Sequence, residues 1–285
     1  MTEYSKKWTA EYANLVNRNI GLISKEQQER LRTSKISVFG MGGIGSPAFE
    51  VLVRCGIGKF SIVDRDEFEP TNMNRQIFAF PRTMGRKKID VAEEWAKEIN
   101  QDVRIDKYDR VDEDNIADIL NNSDLAVLAI DELKPCLIIS RKAREINIPL
   151  VEGWAIPYGN VRTFTSQTPS LEEAYGLPTQ DRPVSSITEE EFKKLGVDLL
   201  FGLGRIEGIP DFYTDEVVKR IAEGHISSFA PMVWLTSVLM ALEAVKVLLN
   251  WGKTALGSDF TLYDPFQHRV PKILDEIPAE RRQYL

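Results

Sequence analysis

The sequence predicts a doubly wound α/β fold, a mostly parallel sheet with helices on both faces and a C-terminal extension. Three observations lead there. Short apolar runs alternate with segments of helical period, the order that parallel strands and their crossovers impose. One run, Leu125-Ala126-Val127-Leu128-Ala129-Ile130, is apolar without a break, which suits a central strand buried on both faces. A glycine-rich turn, Gly40-Met41-Gly42-Gly43-Ile44-Gly45, joins the first apolar run to a helical segment.

The elements follow in order. The first 35 residues read as helical, with Ser24 and Gln27 spaced as a capping box that opens a helix through Leu31. Ile36-Ser37-Val38-Phe39 is a short strand running into the glycine turn. A helix over 46–54 follows, with Ala48, Val51 and Leu52 facing inward. Lys59 to Val63 form the second strand, which ends at Asp64. Ile89, Ala92, Ala96 and Ile99 recur at helical spacing, and Val103-Arg104-Ile105 is a third strand. A short helix over 115–120 precedes the 125–130 strand, which ends at Asp131. A helix over 135–146 and the strand Pro149-Leu150-Val151-Glu152 complete the alternation. Between 166 and 228 the regularity fades under Pro169, Pro178, Pro183 and Pro210, with helices expected at 188–195 and 214–223. A helix over 231–250 and a strand over 260–263 return to order.

Composition bounds the function. A chain of 285 residues, 43% hydrophobic and 28% charged, can bury a large core. A net charge of −7 argues against a broad nucleic-acid footprint, because phosphate backbones attract basic faces. Arg75, Arg86, Lys87 and Lys88 nevertheless form a local basic cluster, of which Arg86 and Lys87 are expected to be solvated rather than catalytic. The chain has 2 Cys, Cys55 and Cys136, and 2 His, His225 and His268. A zinc site built on paired CxxC motifs is therefore excluded. The N-terminus lacks the apolar core of a signal peptide. The longest apolar run, Phe229 to Leu249, is interrupted by Glu243 and Lys246 and reads as a buried helix rather than a membrane span. A cytoplasmic protein is expected.

Gly40, Gly42 and Gly45 satisfy G-x-G-x-x-G between a strand and a helix. Glycines there admit a tight turn and let phosphate oxygens reach backbone N–H groups at the positive helix end. Asp64 lies 24 residues after Gly40, near the offset of an acid that grips ribose hydroxyls. A Rossmann-like nucleotide site follows. An NAD(P)-dependent oxidoreductase is the first reading of this fingerprint, yet neither histidine has a carboxylate partner in sequence. The cluster Asn72-Met73-Asn74-Arg75-Gln76, with Lys88 beyond it, points instead to work on a triphosphate.

These segments resemble a known family. Gly40 to Gly45, Asp64-Arg65-Asp66, Asn72-x-Asn74-Arg75-Gln76, Gly85-x-x-Lys88 and Ile130-Asp131 follow the order and spacing of the ThiF/MoeB/HesA proteins. Those proteins share an adenylating fold with the activating enzymes of ubiquitin-like proteins. The resemblance extends to Asn17-Arg18-Asn19 and to Ala241-x-Glu243-Ala244-x-Lys246. It implies a single adenylation domain over 1–285: a helical N-terminal segment (1–35), a nucleotide-binding core (36–165), a substrate-facing insertion (166–228), and a C-terminal helix and strand (229–285).

The resemblance further implies ATP and Mg²⁺, and a carboxylate substrate that attacks the α-phosphate; the cysteine count excludes zinc. Gly40, Gly42, Gly43, Gly45, Asp64, Asp66 and Gln76 would bind the nucleotide, with the two aspartates on the ribose. Asn72, Arg75 and Lys88 would neutralise phosphate charge, and Asp131 would ligate the metal, unless it caps the helix after it. Arg18 would reach the nucleotide of a second subunit, which implies a homodimer. Departures also matter. The zinc cysteines of many relatives are missing, and burial is the expected fate of Cys55 and Cys136, so a thioester intermediate is not expected. The activated acid is the C-terminus of a small ubiquitin-like or sulfur-carrier protein or a peptide; a small-molecule carboxylate is the alternative. Trp154 and Tyr158 either flank an incoming tail in a groove over 151–160 or belong to the core. A catalytically silent nucleotide- or partner-binding module is the remaining rival.

Overall fold

Seven strands form one sheet among the described residues, 8–222, 227–257 and 260–274 of the computed structural model. They are β1 (Lys35–Phe39), β2 (Lys59–Val63), β3 (Arg104–Tyr108), β4 (Leu125–Leu128), β5 (Leu150–Glu152), β6 (Gly159–Phe164) and β7 (Thr261–Tyr263). Their order is β3-β2-β1-β4-β5-β6-β7. Pairing is parallel from β3 to β5 and antiparallel from β5 through β7. Strand order reverses between β1 and β4, and in such sheets the crevice beyond the carboxyl ends at that point is where ligands bind. His225 lies outside the described residues.

The strands feed two cores by simple alternation. Val38, Ile62, Val127 and Val151 point to one face, where they pack with α2 (Lys25–Thr33), α3 (Gly45–Arg54), α4 (Lys88–Ile99) and α10 (Ala230–Leu249). Phe39, Val63, Leu128 and Leu150 point to the other, against α5 (Ile116–Leu120), α6 (Leu133–Glu145), α7 (Leu171–Tyr175) and α8 (Glu189–Gly202). A third cluster, built on Ile156, Tyr158, Leu203, Ile206, Ile209 and Leu262, sits under the segment after α8.

Most expected elements are present, and the differences have physical causes. Ser24 and Gln27 do form the capping box that opens α2, after the short α1 (Ala10–Leu15). β3 runs on to Tyr108 because it is an edge strand; its exposed Asp106 and Lys107 carry no apolar signal. β4 stops at Leu128, where the chain bends so that Ala129 O faces Gly40. β6 is not among the strands expected from sequence, where 151–160 is a groove. Asn160 folds that stretch back instead. Its side chain accepts from Trp154 N at 2.7 Å and donates to Trp154 O and Tyr158 O at 2.8 and 3.0 Å.

The 166–228 segment is more regular than its prolines suggest, holding α7, α8 and α9 (Asp215–Ala222) joined by 3-10 turns. A C-terminal strap pins it: Glu207 N donates to Lys272 O and Leu274 N to Arg205 O, both at 2.9 Å. α10 is long and apolar enough to cross a membrane by length and composition, yet half of its span is buried in the fold. It packs on α3 and β6. Its buried Glu243 ties it to the neighbouring loop by accepting from Ala255 N at 2.6 Å, with Lys246 at 2.6 Å on the other oxygen.

Candidate active site

The glycine turn is shaped by backbone contact. Gly40 has φ of +96°, and a Cβ there would lie 2.4 Å from Ala129 O. A Cβ on Gly45 would fall 1.8 Å from Gly40 O, so Gly45 closes the turn on itself rather than facing a ligand. α3 starts at Gly45 with no side-chain cap; Ser46 N already donates to Gly42 O at 3.1 Å and Pro47 carries no N–H, so the helix contributes its positive end rather than a row of open first-turn donors.

Asp64, at the carboxyl end of β2, accepts from Met41 N at 2.7 Å and from Asp66 N at 2.9 Å. It thereby locks the turn to the acidic loop. Lys88, at the first position of α4, is buried and donates to Asp66 Oδ2 at 2.8 Å, with Asp64 Oδ1 3.9 Å away. Burial pushes the Asp64 carboxyl above its ordinary range, opposed by the Lys88 ammonium and the two backbone hydrogen bonds. The two carboxylates hold this lysine, its stem buried, against the cavity wall.

The 72–76 segment folds through a 3-10 turn, Pro70–Asn72. Buried Asn72 accepts from Glu69 N at 3.1 Å, and its carbonyl receives Arg75 N and Gln76 N at 3.1 and 2.9 Å. Arg75 donates to Thr71 O and Asn74 Oδ1 at 3.1 and 2.9 Å. α10 braces this loop, since Trp234 Nε1 donates to Arg75 O at 2.7 Å. Gln76 is buried, and its Oε1 has no partner among the described residues. A buried acceptor left so is costly, and a ligand hydroxyl or amino group would satisfy it. The basic cluster expected from sequence therefore divides: Arg86 and Lys87 turn outward to Glu94 and Asp109 at 2.5 and 2.9 Å.

These groups share one cavity of about 930 Å³. Gly40, Gly42, Gly43, Asp64, Asp66, Asn72, Arg75, Gln76, Lys88 and Asp131 all line it; Gly45 and Arg18 do not. Arg18 is exposed on a 3-10 turn (Asn17–Asn19). Asp131 is exposed just past β4 and hydrogen-bonds to none of the described residues. It does not cap α6, whose cap residue is Glu132. Cys136 also lines the cavity. Burial, with the negative charge of Glu152, Asp131 and Glu132, pushes its thiol well above the usual range. The neighbouring Lys134 is turned away to Glu189 at 2.7 Å. Cys55 lies away from the cavity, its thiol also raised by burial.

The far half of the cavity contains residues that sequence reasoning misses. Leu199, Leu203 and Phe212 from the 166–228 segment and Phe229, Met232 and Val233 at the start of α10 supply apolar wall. Glu152 sits at its floor with Trp154 and Tyr175. Of the two aromatics expected along a groove, Trp154 lines the cavity. Tyr158 does not: it is buried against Phe212, its ring 6.2 Å away. An alternation of β-branched and aromatic residues at Val161, Thr163 and Phe164 is the available signal for β6, and so for Arg162 opposite Glu152.

A glycine turn at the switch point of a parallel sheet, an acid beyond the next strand, and cations converging on the turn define a nucleotide-binding α/β protein equipped for phosphoryl chemistry. The chain belongs to the ThiF family, whose sequence profile matches residues 16–283. It is similar to the sulfur carrier protein adenylyltransferase of Thermus thermophilus, 28% identical over 270 residues, 94% of this chain and 89% of that one. It is also similar to the molybdopterin-synthase adenylyltransferase of Haemophilus influenzae, 24% identical over 261 residues, covering 90% and 92%. Among solved structures, E. coli MccB with MccA-N7isoASN superposes with a TM-score of 0.67 at 17% identity, over 95% of this chain and 75% of that one.

Proposed function

We propose that the protein adenylates a carboxylate with ATP, releasing pyrophosphate. The observation that carries this is the convergence of Arg75, Lys88 and Asp131 with the glycine turn on one cavity. In the reaction a substrate carboxylate oxygen bonds to the α-phosphorus, the bond to the bridging oxygen of the β-phosphate breaks, and pyrophosphate departs with the electron pair. No proton needs to move. What must be supplied is alignment of two anions and neutralisation of charge on the phosphate oxygens. Asp64 and Asp66 hold the ribose, with Asp66 positioned by Lys88. Arg75, Lys88 and Asn72 face the phosphates, and Gln76 Oε1 accepts from the nucleotide.

Asp131 would hold Mg²⁺, which would supply positive charge to offset the charge of the phosphates. A single carboxylate suits that metal, because Mg²⁺ keeps waters and takes its other ligands from the triphosphate. Incubation with ATP, labelled pyrophosphate and candidate acids is expected to return label to ATP only when the right acid is present. Tight NADH binding with no exchange for any acid would refute the reading.

The acid is the C-terminus of a small sulfur-carrier-like protein or of a peptide, in keeping with the relatives named for such carriers. A released or directly consumed acyl-adenylate is the product, because the raised thiol of Cys136 offers no ready thiolate. The working unit is a homodimer in which Arg18 serves the partner's site. Trp234, Val238 and Leu242 recur every fourth residue along α10 with 39%, 48% and 48% of their surface exposed, a stripe that a second copy would cover. Sedimentation is expected at twice the chain mass of 32.4 kDa; a monomer at micromolar concentration would remove Arg18 from the site.

A further inference from the structure

The cavity floor holds a buried carboxyl with few partners. Glu152 ends β5, in register with Leu128 of β4, so its carboxylate sits beside the strand that leads to Asp131. It is 5% exposed and lines the cavity. Its cross-strand partner is Arg162, also buried, yet the nearest approach is 3.7 Å, from Arg162 Nε to Glu152 Oε2. That Nε makes no hydrogen bond among the described residues. Rings hold the guanidinium instead: it lies 4.2 Å from the Phe260 ring centre and 4.6 Å from that of Tyr175. The hydrogen bond from Tyr175 OH to the carboxylate, at 2.6 Å, falls on the same Oε2. The Trp154 indole N–H, which donates to Tyr175 OH and orients it, also favours the carboxylate form, yet burial still raises the Glu152 carboxyl above its ordinary range.

A buried carboxylate ordinarily gathers two or three donors, because its desolvation must be offset. Here both contacts lie on Oε2, and Oε1 takes no hydrogen bond from the described residues. We propose that Glu152 is a specificity-determining residue that receives an N–H donor of the acyl substrate, its Oε2 held by Tyr175 and its Oε1 directed to the ligand. This rests on the adenylation reading and names a feature of its substrate: the acid carries an amine or amide N–H that reaches Glu152 while its carboxylate reaches the α-phosphate. The apolar walls around Leu199, Leu203 and Phe212 fit the carbon skeleton between or beyond these groups. An acid with a second carboxylate at that position is repelled.

Two sources of such a donor are separable. ω-Amino acids from glycine to 6-aminohexanoate, with monocarboxylates and dicarboxylates of the same lengths, test an ammonium. A peptide ending in Gly-Gly, with counterparts in which each of its last two amides is replaced by an ester, tests a backbone N–H. Each probe is measured by pyrophosphate exchange and by equilibrium binding beside a non-hydrolysable ATP analogue.

A donor-bearing acid is expected to bind roughly 10- to 100-fold more tightly than its donor-free match, the range for a hydrogen bond to a charged group. Glu152→Gln should erase most of that preference for an ammonium and part of it for an amide, and Tyr175→Phe should keep it. Equal binding of donor-bearing and donor-free acids in both series would overturn the proposal, as would a preference unchanged in Glu152→Gln. Binding that follows the donor without any exchange would count against adenylation and leave the Glu152 assignment standing. Exchange that ignores the donor would do the reverse.

Discussion

Replacing Arg75 with alanine should lower ATP–pyrophosphate exchange by about 10³-fold, because one preorganised charge-stabilising group is worth roughly 10²–10³ in rate before any loss of alignment is added. The fold should scarcely change. Arg75 is half-buried, and among the described residues its guanidinium bonds to Thr71 O and Asn74 Oδ1 within its own loop. The brace from Trp234 goes to the Arg75 backbone carbonyl and survives truncation. The urea midpoint should therefore shift by an amount typical of a surface substitution, about 0.5 kcal/mol. Lys88 would make a poorer probe: it is buried beside Asp64 and Asp66, so its removal strands two carboxylates and confounds rate with stability. Arg75→Lys separates charge from geometry. A lysine keeps the positive charge but not the planar fork that meets two oxygens at once, so partial recovery is expected. Exchange within about threefold of the parent in Arg75→Ala would remove this residue from the phosphate site, given the loss expected of such a group.

The nucleotide half of the site is legible in sequence because its signals are local. Gly40 and Gly45 are required by contacts with Ala129 O and with each other. Asp64 follows the very next strand, and Asn72 to Gln76 form one turn. Residues so constrained leave a spacing in sequence. The far half is not legible, because its members meet only through tertiary packing. Glu152 and Arg162 face each other across an antiparallel pair that depends on Asn160 folding back the loop between them. Tyr175 arrives from α7, and Val233 and Trp234 from α10, far along the chain from the turn they touch. Arg86 and Lys87 are the converse case, basic in sequence yet expected to be solvated, as they are. Adjacent in sequence to Lys88, they lie before α4 begins, and the backbone direction there turns them to solvent.

Asp131→Asn should lower exchange by about 10³-fold at ordinary Mg²⁺, since a bound metal supplies several kcal/mol of charge stabilisation to a phosphoryl centre. The substitution is nearly isosteric and removes one negative charge. Asp131 touches no described residue through a hydrogen bond and leaves the capping position of α6 to Glu132. Had it capped that helix, an asparagine would have served almost as well, and both exchange and stability would persist. The two roles therefore predict opposite outcomes for one variant. Among the described residues no three acidic, histidine or cysteine side chains converge on a metal position, so the triphosphate must complete the coordination. Affinity for Mg²⁺ alone should thus be weak in the parent, and the variant's defect should show as a raised Mg²⁺ requirement with ATP binding in the absence of metal unchanged. Raising Mg²⁺ or supplying Mn²⁺, whose ligand preferences also run to carboxylate and water oxygens, should recover part of the rate. Parental exchange in Asp131→Asn at limiting Mg²⁺ would place the metal elsewhere, on another of the acidic groups that line the cavity, Asp64, Asp66, Asp109, Glu132 or Glu152.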